Sequence, residues 1–260
     1  MKLDIIFEND LLLVVDKPPG VVVNNSVTAS GDTLQNQISK YLKLAEGDLG
    51  VGGRAGIVHR LDRETSGLVV VAKTQKAFAN LQEQFENREV KKTYIALSHG
   101  DIKADEGVID LPIARIGKFG KFGILKNGRE SETRYNVEKR LVFDEAEFEK
   151  LILGDDLKLT KVRVKYLKQQ AKNYSFVKLF PKTGRTHQIR VHLKSLGSPI
   201  VSDLIYGPAK LIKFDLLWCP RLFLHAEKIE FKDPKSKKVL SFRSDLPPDL
   251  RDALGQLVAV

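Results

Sequence analysis

The sequence is poor in residues that would staple it or hold a metal. A single cysteine, Cys219, stands among 260 residues, which excludes an intrachain disulfide and any multi-cysteine zinc site. The five histidines are His59, His99, His187, His192 and His225; the nearest two, His187 and His192, are five apart, whereas a helical metal pair wants three or four. No metal is expected. No apolar run approaches the roughly 20 residues that span a bilayer. Acid at Asp4, Glu8, Asp10 and Asp16 argues against a signal or transit peptide, and a cytoplasmic protein is expected. Gly50-Val51-Gly52-Gly53-Arg54 lacks the Gly-Lys-Ser/Thr ending of a phosphate loop, and no serine-nucleophile elbow is found. Repeats, low-complexity segments and interdomain linkers are also missing, so one domain over residues 1–260 is the simplest organisation.

What is plentiful is positive charge. Lys and Arg number 43 against 33 Asp and Glu, a net charge of +10. That balance favours a polyanionic partner, because each neutralised phosphate releases condensed counterions. With no basic amphipathic helix in view, nucleic acid is a better candidate than a membrane surface.

Strand patterns dominate. Leu3–Phe7 and Leu11–Val15 are apolar and β-leaning, and Lys17-Pro18-Pro19-Gly20 ends the second in a rigid turn. Helical spacing from Asp32 to Ala45 predicts a helix capped by Asp32 or Thr33, and Thr74 starts another whose Phe78, Leu81 and Phe85 share a face. Strands are predicted at Gly67–Lys73, Val90–His99, within 107–143 (interrupted by a basic loop, Arg115–Arg129), at Tyr174–Phe180, and last at Arg221–Phe231. Asp144-Glu145-Ala146-Glu147 matches a capping box for a short helix to Ile152, and a Lys-rich stretch follows. A helix from about Thr186 ends at Gly197. Helices are scattered rather than alternating with strands, so the class is α+β, with a largely antiparallel or mixed sheet.

Two stretches could carry chemistry. In His59-Arg60-Leu61-Asp62-Arg63-Glu64-Thr65-Ser66-Gly67, an extended chain would put Asp62 and Glu64 on one face and His59 on the other. A polar turn fixed to a buried strand can hold a reactive group rigidly, although from spacing alone a solvated, salt-bridged turn is the stronger reading. Thr183-Gly184-Arg185-Thr186-His187-Gln188-Ile189-Arg190-Val191-His192-Leu193 puts two arginines beside a helix N-terminus, where they could grip phosphate or orient a carboxylate. An amphipathic core helix with exposed basic residues is the default there.

Together these two strings closely resemble signatures of the RluA-type RNA pseudouridine synthases. The resemblance extends to the Asp16-Lys17-Pro18-Pro19-Gly20 turn, Lys92–Leu97, Gly197–Ile200, Asp203-Leu204-Ile205-Tyr206-Gly207 and Arg221–Ala226, in the family's order from residue 11 to 231. It implies a pseudouridine synthase fold, an RNA partner (ribosomal or transfer RNA), and isomerisation of uridine without cofactor or metal. By resemblance Asp62 is the essential carboxylate, attacking the uracil ring or the ribose C1′. Arg190 is the arginine that forms its salt bridge, and Tyr94 the active-site tyrosine. Arg60 fills the space left by the flipped base, Arg185 contacts RNA or supports the site, Leu224 lines the pocket, and Lys17 packs or contacts RNA. His59 and Glu64 become scaffold.

The chain departs from the family pattern in places. Asn24-Asn25 stands where His-Pro is often seen, and Ser202 replaces a usual glycine. The stretch 141–173 reads as an insertion whose lysines could grip phosphate or form a solvated helical excursion. A small N-terminal RNA-binding module, present in some relatives, is expected to be missing, because the first matched motif begins by residue 11. A monomer is the default. A non-catalytic RNA-binding or chaperone protein on the same fold is the alternative, and a metal-dependent nuclease is remote.

Overall fold

The structure, a computed structural model, describes residues 3–25, 32–45, 47–117, 120–154 and 160–260. The chain opens with β1 (Asp4–Glu8), β2 (Leu12–Lys17), α1 (Leu34–Tyr41), β3 (Ser66–Ala72) and α2 (Gln75–Glu86). β4 (Lys91–His99), β5 (Glu106–Asp110), β6 (Ile113–Arg115), β7 (Phe122–Ile124) and β8 (Glu132–Phe143) follow. Then come α3 (Glu145–Leu153), α4 (Lys161–Gln170), β9 (Asn173–Pro181), α5 (Gln188–Ser195) and α6 (Ile212–Trp218). β10 (Leu224–Lys232), β11 (Val239–Arg243), α7 (Pro248–Leu254) and β12 (Leu257–Ala259) complete it. The class is α+β, as the scattered helices predict.

Two compact units form, each discontinuous in sequence: Met1–Thr93 with His225–Asp245, and Tyr94–Leu224 with Leu246–Val260. In the first, β2 pairs antiparallel with β1 and β3, and β10 antiparallel with β11. β3 and β10 run parallel, through Ser66 against His225 and Gly67 against Ala226. Every residue of β3 is buried, as a strand covered on both faces must be. Leu12, Val14, Leu68 and Val70 pack with Phe78 and Leu81 of α2. The Thr33 and Thr74 hydroxyls accept from Asn36 N and Ala77 N at the starts of α1 and α2, which satisfies amides that a helix leaves without partners.

The second unit is antiparallel: β9 lies between β4 and β8, and β8 also carries β5 and β12. Its core is aromatic, with Phe143 edge-on to Tyr174, Phe214 and Trp218. Asp144 caps α3 by accepting from Ala146 N and Glu147 N.

Three expectations change. The basic loop Arg115–Arg129 contains half of a hairpin: β6 pairs with β7 because Ile113, Phe122 and Ile124 pack together with Val191 and Tyr206; residues 118–119 lie outside the described residues. The Lys-rich stretch holds α4, whose Leu167 is wholly buried, while Lys158 lies outside the described residues. Arg221–Phe231 is not the last strand, since β11 and β12 follow it. Those two and α6 were too short to stand out by periodicity.

Candidate active site

In the first unit the stretch 59–67 is not one extended segment: it turns at Asp62–Thr65 before β3 begins at Ser66. Thr65 N donates to the Asp62 carbonyl at 3.2 Å, so the chain reverses at Arg63-Glu64, and period-two reasoning about Asp62 and Glu64 does not apply. The Asp62 side chain is half-buried and Arg60 is exposed. Glu64 pairs with Arg63 at 3.4 Å.

The turn is sewn to the Pro18-Pro19-Gly20 turn. The Arg63 carbonyl accepts from Gly20 N at 2.8 Å and from the Lys17 ammonium at 3.1 Å. That ammonium also donates to the carbonyls of Pro18 and Val21, at 2.8 and 3.0 Å, and Lys17 is wholly buried. A buried cation is tolerated because carbonyl dipoles replace its water. Lys17 thereby joins two turns that lie 46 residues apart.

On the other side of the turn His59 Nε2 accepts from Val70 N at 3.0 Å, and its ring stacks on Phe85. Burial, and next the charge of Lys92, push the imidazole down to about 3, so it is neutral at pH 7. Burial alone brings Lys92 down to about 8. Beneath Gly67, Ser66 Oγ lies 3.0 Å from His225 Nδ1, while His225 Nε2 lies 3.1 Å from the Ser244 carbonyl. A carbonyl only accepts, so Nε2 carries a proton. Ser244 Oγ continues to Asp16, whose carboxyl burial pushes upward. Asn25 Oδ1 accepts from Thr33 Oγ1 and its backbone N donates to Gln35 Oε1, which secures the start of α1.

The second unit holds Tyr94, Arg185, Arg190 and Leu224. Tyr94 is half-buried on β4 opposite Leu179 of β9. Leu224 is buried in the aromatic core. Between β9 and α5 the side chain of Gln188 is the keystone. Its Oε1 accepts from Thr183 Oγ1 and Arg185 N, at 2.7 and 3.0 Å, and its Nε2 donates to the Glu132 carbonyl and Thr133 Oγ1. Arg185 Nε donates to the Glu130 carbonyl at 3.1 Å. His187 sits in the left-handed region and caps α5, which delays the helix by two residues from the expected start.

Arg190 is buried and meets Asp203 in a two-pronged pair, Nε to Oδ2 at 2.8 Å and Nη2 to Oδ1 at 2.7 Å. The same Oδ1 accepts from Ile205 N and Tyr206 N. Arg190 also lies 5.1 Å over the Tyr206 ring, and the Tyr206 hydroxyl accepts from Phe122 N and meets His187 Nδ1. Ser202 takes φ +57°, the left-handed backbone a glycine would supply, and its hydroxyl donates to the Cys219 carbonyl. That hydrogen bond anchors the turn.

Among the described residues no group of three or more His, Cys, Asp or Glu is placed to hold a metal. None of the helices described is long and apolar enough to cross a membrane.

The family model described as RNA pseudouridylate synthase matches residues 11–195. The chain belongs to this family. RNA pseudouridylate synthases are isomerases that convert uridine to pseudouridine in RNA. An uncharacterized RNA pseudouridine synthase of Bacillus subtilis is 33% identical over 258 residues, covering 99% of this chain and 73% of that protein. Ribosomal large subunit pseudouridine synthase D of Nitrosomonas europaea is 36% identical over 253 residues, covering 95% of this chain and 63% of its own length. The solved structure of human RNA pseudouridylate synthase domain containing 1 has 26% identity and a TM-score of 0.68, covering 96% of this chain and 86% of that one.

For this pseudouridylate synthase, sequence reasoning singled out Arg190 but gave no role to Asp203, Tyr206 or Gln188, which hold it and its junction. The signal lay in the sequence: Asp203 and Tyr206 are the polar members of the string Asp203-Leu204-Ile205-Tyr206-Gly207. A bare spacing of 13 residues from Arg190 to Asp203 carries no periodicity to reveal their contact.

Proposed function

We propose that this chain isomerises uridine to pseudouridine in structured RNA, with Asp62 as the catalytic carboxylate. In that reaction the N1–C1′ bond breaks, a C5–C1′ bond forms, the C5 proton leaves and N1 gains a proton. Atoms balance without an oxidant or a cofactor. The observation that carries the reading is family membership combined with the position of Asp62, half-buried in a turn that Lys17 and the Arg63 carbonyl hold rigid. A fixed carboxylate can attack without first being ordered.

Arg190 serves as the cation that keeps the carboxylate ionised and aimed. Tyr94 stacks on the extruded base, and its hydroxyl assists removal of the C5 proton. Arg60, being exposed, can enter the gap that base flipping leaves. Arg185 contacts RNA, and Leu224 forms apolar wall. Lys17 acts on substrate only through the turn it holds. Residues 1–260 work as one catalytic domain; the matched stretch 11–195 draws on both units. The protein acts as a cytoplasmic monomer. Large-subunit ribosomal RNA is the first substrate to try, since relatives from Nitrosomonas and Pseudomonas are named for the large ribosomal subunit.

The test is tritium release from RNA labelled at uracil C5. Wild-type protein releases tritium and Asp62→Ala does not. Undiminished release from Asp62→Ala overturns the role of Asp62, and RNA binding without release from wild type favours a non-catalytic RNA-binding protein.

A further inference from the structure

No Asp or Glu stands between Asp156 and Asp203, so a long part of the second unit carries positive charge with nothing of its own to neutralise it. α4 lies inside this stretch. Thr160 caps it by accepting from Arg163 N. Val164, Leu167 and Ala171, at helical spacing, pack into the core of the unit. Lys161, Lys165, Lys168 and Lys172 recur at intervals of four, three and four, which puts them in one stripe along the helix and its immediate end. All four are exposed. At 1.5 Å per residue the stripe from Lys161 to Lys168 is roughly 10 Å long.

The stripe is little compensated. Lys168 reaches Glu149 of α3 at 3.4 Å, both half in solvent, and α3 also bears Glu145 and Glu147, the latter paired with Lys150. Among the described residues no carboxylate lies within ion-pair distance of Lys161, Lys165 or Lys172. On the far flank, Arg163 and Lys210 both sit over the Tyr166 ring, at 5.2 and 5.5 Å, and Arg163 donates to the Lys210 carbonyl. A second edge of cationic side chains is thereby held in place.

We infer that the lysine stripe of α4 is a docking surface for the sugar-phosphate backbone of the substrate RNA, outside the catalytic residues. The inference rests on the RNA-isomerase reading and adds to it an anchoring site carried by the 141–173 insertion. Charge complementarity selects the occupant: regularly spaced ammonium groups match a chain of phosphates and read no base. A bilayer is a poor match, because a helix that lies on membrane turns an apolar face to the lipid. The apolar face of α4 is already spent on the core, which leaves exposed Val162 and Gln169 beside the stripe.

The experiment compares wild type with a triple variant, Lys161→Gln, Lys165→Gln and Lys172→Gln. A charge-matched control carries Lys235→Gln, Lys237→Gln and Lys238→Gln, exposed positions of the first unit. Binding to an unmodified large-subunit ribosomal RNA transcript is titrated over a salt series, and thermal unfolding confirms that all three proteins fold alike. Should the stripe variant fold poorly, the single variant Lys165→Gln is measured instead, with a proportionally smaller effect. The expected result is roughly tenfold or greater loss of affinity at about 0.1 M salt and a salt slope shallower by about 2 for the stripe variant. The control should stay within about twofold of wild type. In turnover, the stripe variant raises KM and leaves kcat alone.

Equal affinity and slope in wild type and stripe variant overturn the inference. So does equal weakening in the control, which would mean general charge and no site. Binding of the stripe to phosphatidylserine vesicles with no effect on RNA overturns it in favour of a membrane. Stripe-dependent binding in a wild type that releases no tritium leaves the docking surface standing and removes the isomerase reading, so the two failures are distinguishable.

Discussion

Arg190 and Asp203 face each other through two parallel hydrogen bonds, at 2.8 and 2.7 Å, with neither residue more than 5% exposed. Asp203 is in turn held by two backbone amides of its own turn. A guanidinium clamped in this way has one orientation, as the role proposed for Arg190 requires. Asp203→Ala should lower stability by about 3–5 kcal/mol, because it leaves a buried charge without its two-pronged partner. Arg190→Lys should fold but lose most activity, since an ammonium cannot reproduce the fork. Urea denaturation and tritium release measure the two effects. An Asp203→Ala protein as stable as wild type would show that the pair contributes little.

Tyr94→Phe separates stacking from proton handling. The ring remains, so affinity for RNA should change by less than about twofold, whereas kcat should fall about 10²- to 10⁴-fold if the hydroxyl takes part in proton transfer. Unchanged kcat would confine Tyr94 to stacking.

His59 gives stability a pH dependence with a definite sign. Its folded value is pushed down to about 3 from 6.5, by burial first and Lys92 second. Between those values the unfolded chain binds the extra proton, so stability rises with pH across the window and is lost as pH falls from about 6.5 toward 3. The expected loss is a few kcal/mol at most, since the ring keeps some exposure. His59→Gln, whose amide oxygen can accept from Val70 N, should flatten the slope in urea titrations run at a series of pH values.

Lys17→Met replaces a buried ammonium by an apolar chain of similar length, takes its hydrogen bond from the Pro18 and Val21 carbonyls, and leaves the Arg63 carbonyl with Gly20 N. A loss of about 3 kcal/mol is expected, with a lower kcat as the Asp62 turn loosens. Stability and kcat both equal to wild type would mean that the two turns are held by their backbone bonds alone.

Gly67 sits at φ +117°, and a Cβ there would lie 2.4 Å from the Ala226 carbonyl oxygen and 2.7 Å from its amide nitrogen. These are backbone atoms of the parallel partner β10, so they cannot swing aside. Gly67→Ala should cost about 3 kcal/mol and depress activity through the displaced turn. Thermal unfolding within about 1 °C of wild type would contradict this close approach.

The sequence by itself determined the class, most elements and their caps. Thr33, Thr74 and Asp144 were legible because capping is a local hydrogen bond between residues two or three apart. β3 was legible because a doubly covered strand must be continuously apolar. Ordered motifs made Asp62, Tyr94 and Arg190 candidates, which spacing alone could not. The tertiary structure decided what lies between motifs. It turned the chain at Arg63-Glu64, made Lys17 the clamp on that turn, paired Arg190 with Asp203, and paired β6 with β7. The Lys17 and Arg190 contacts depend on partners brought near only by folding, and a hydrogen bond between residues 13 or 46 apart leaves no period in the sequence.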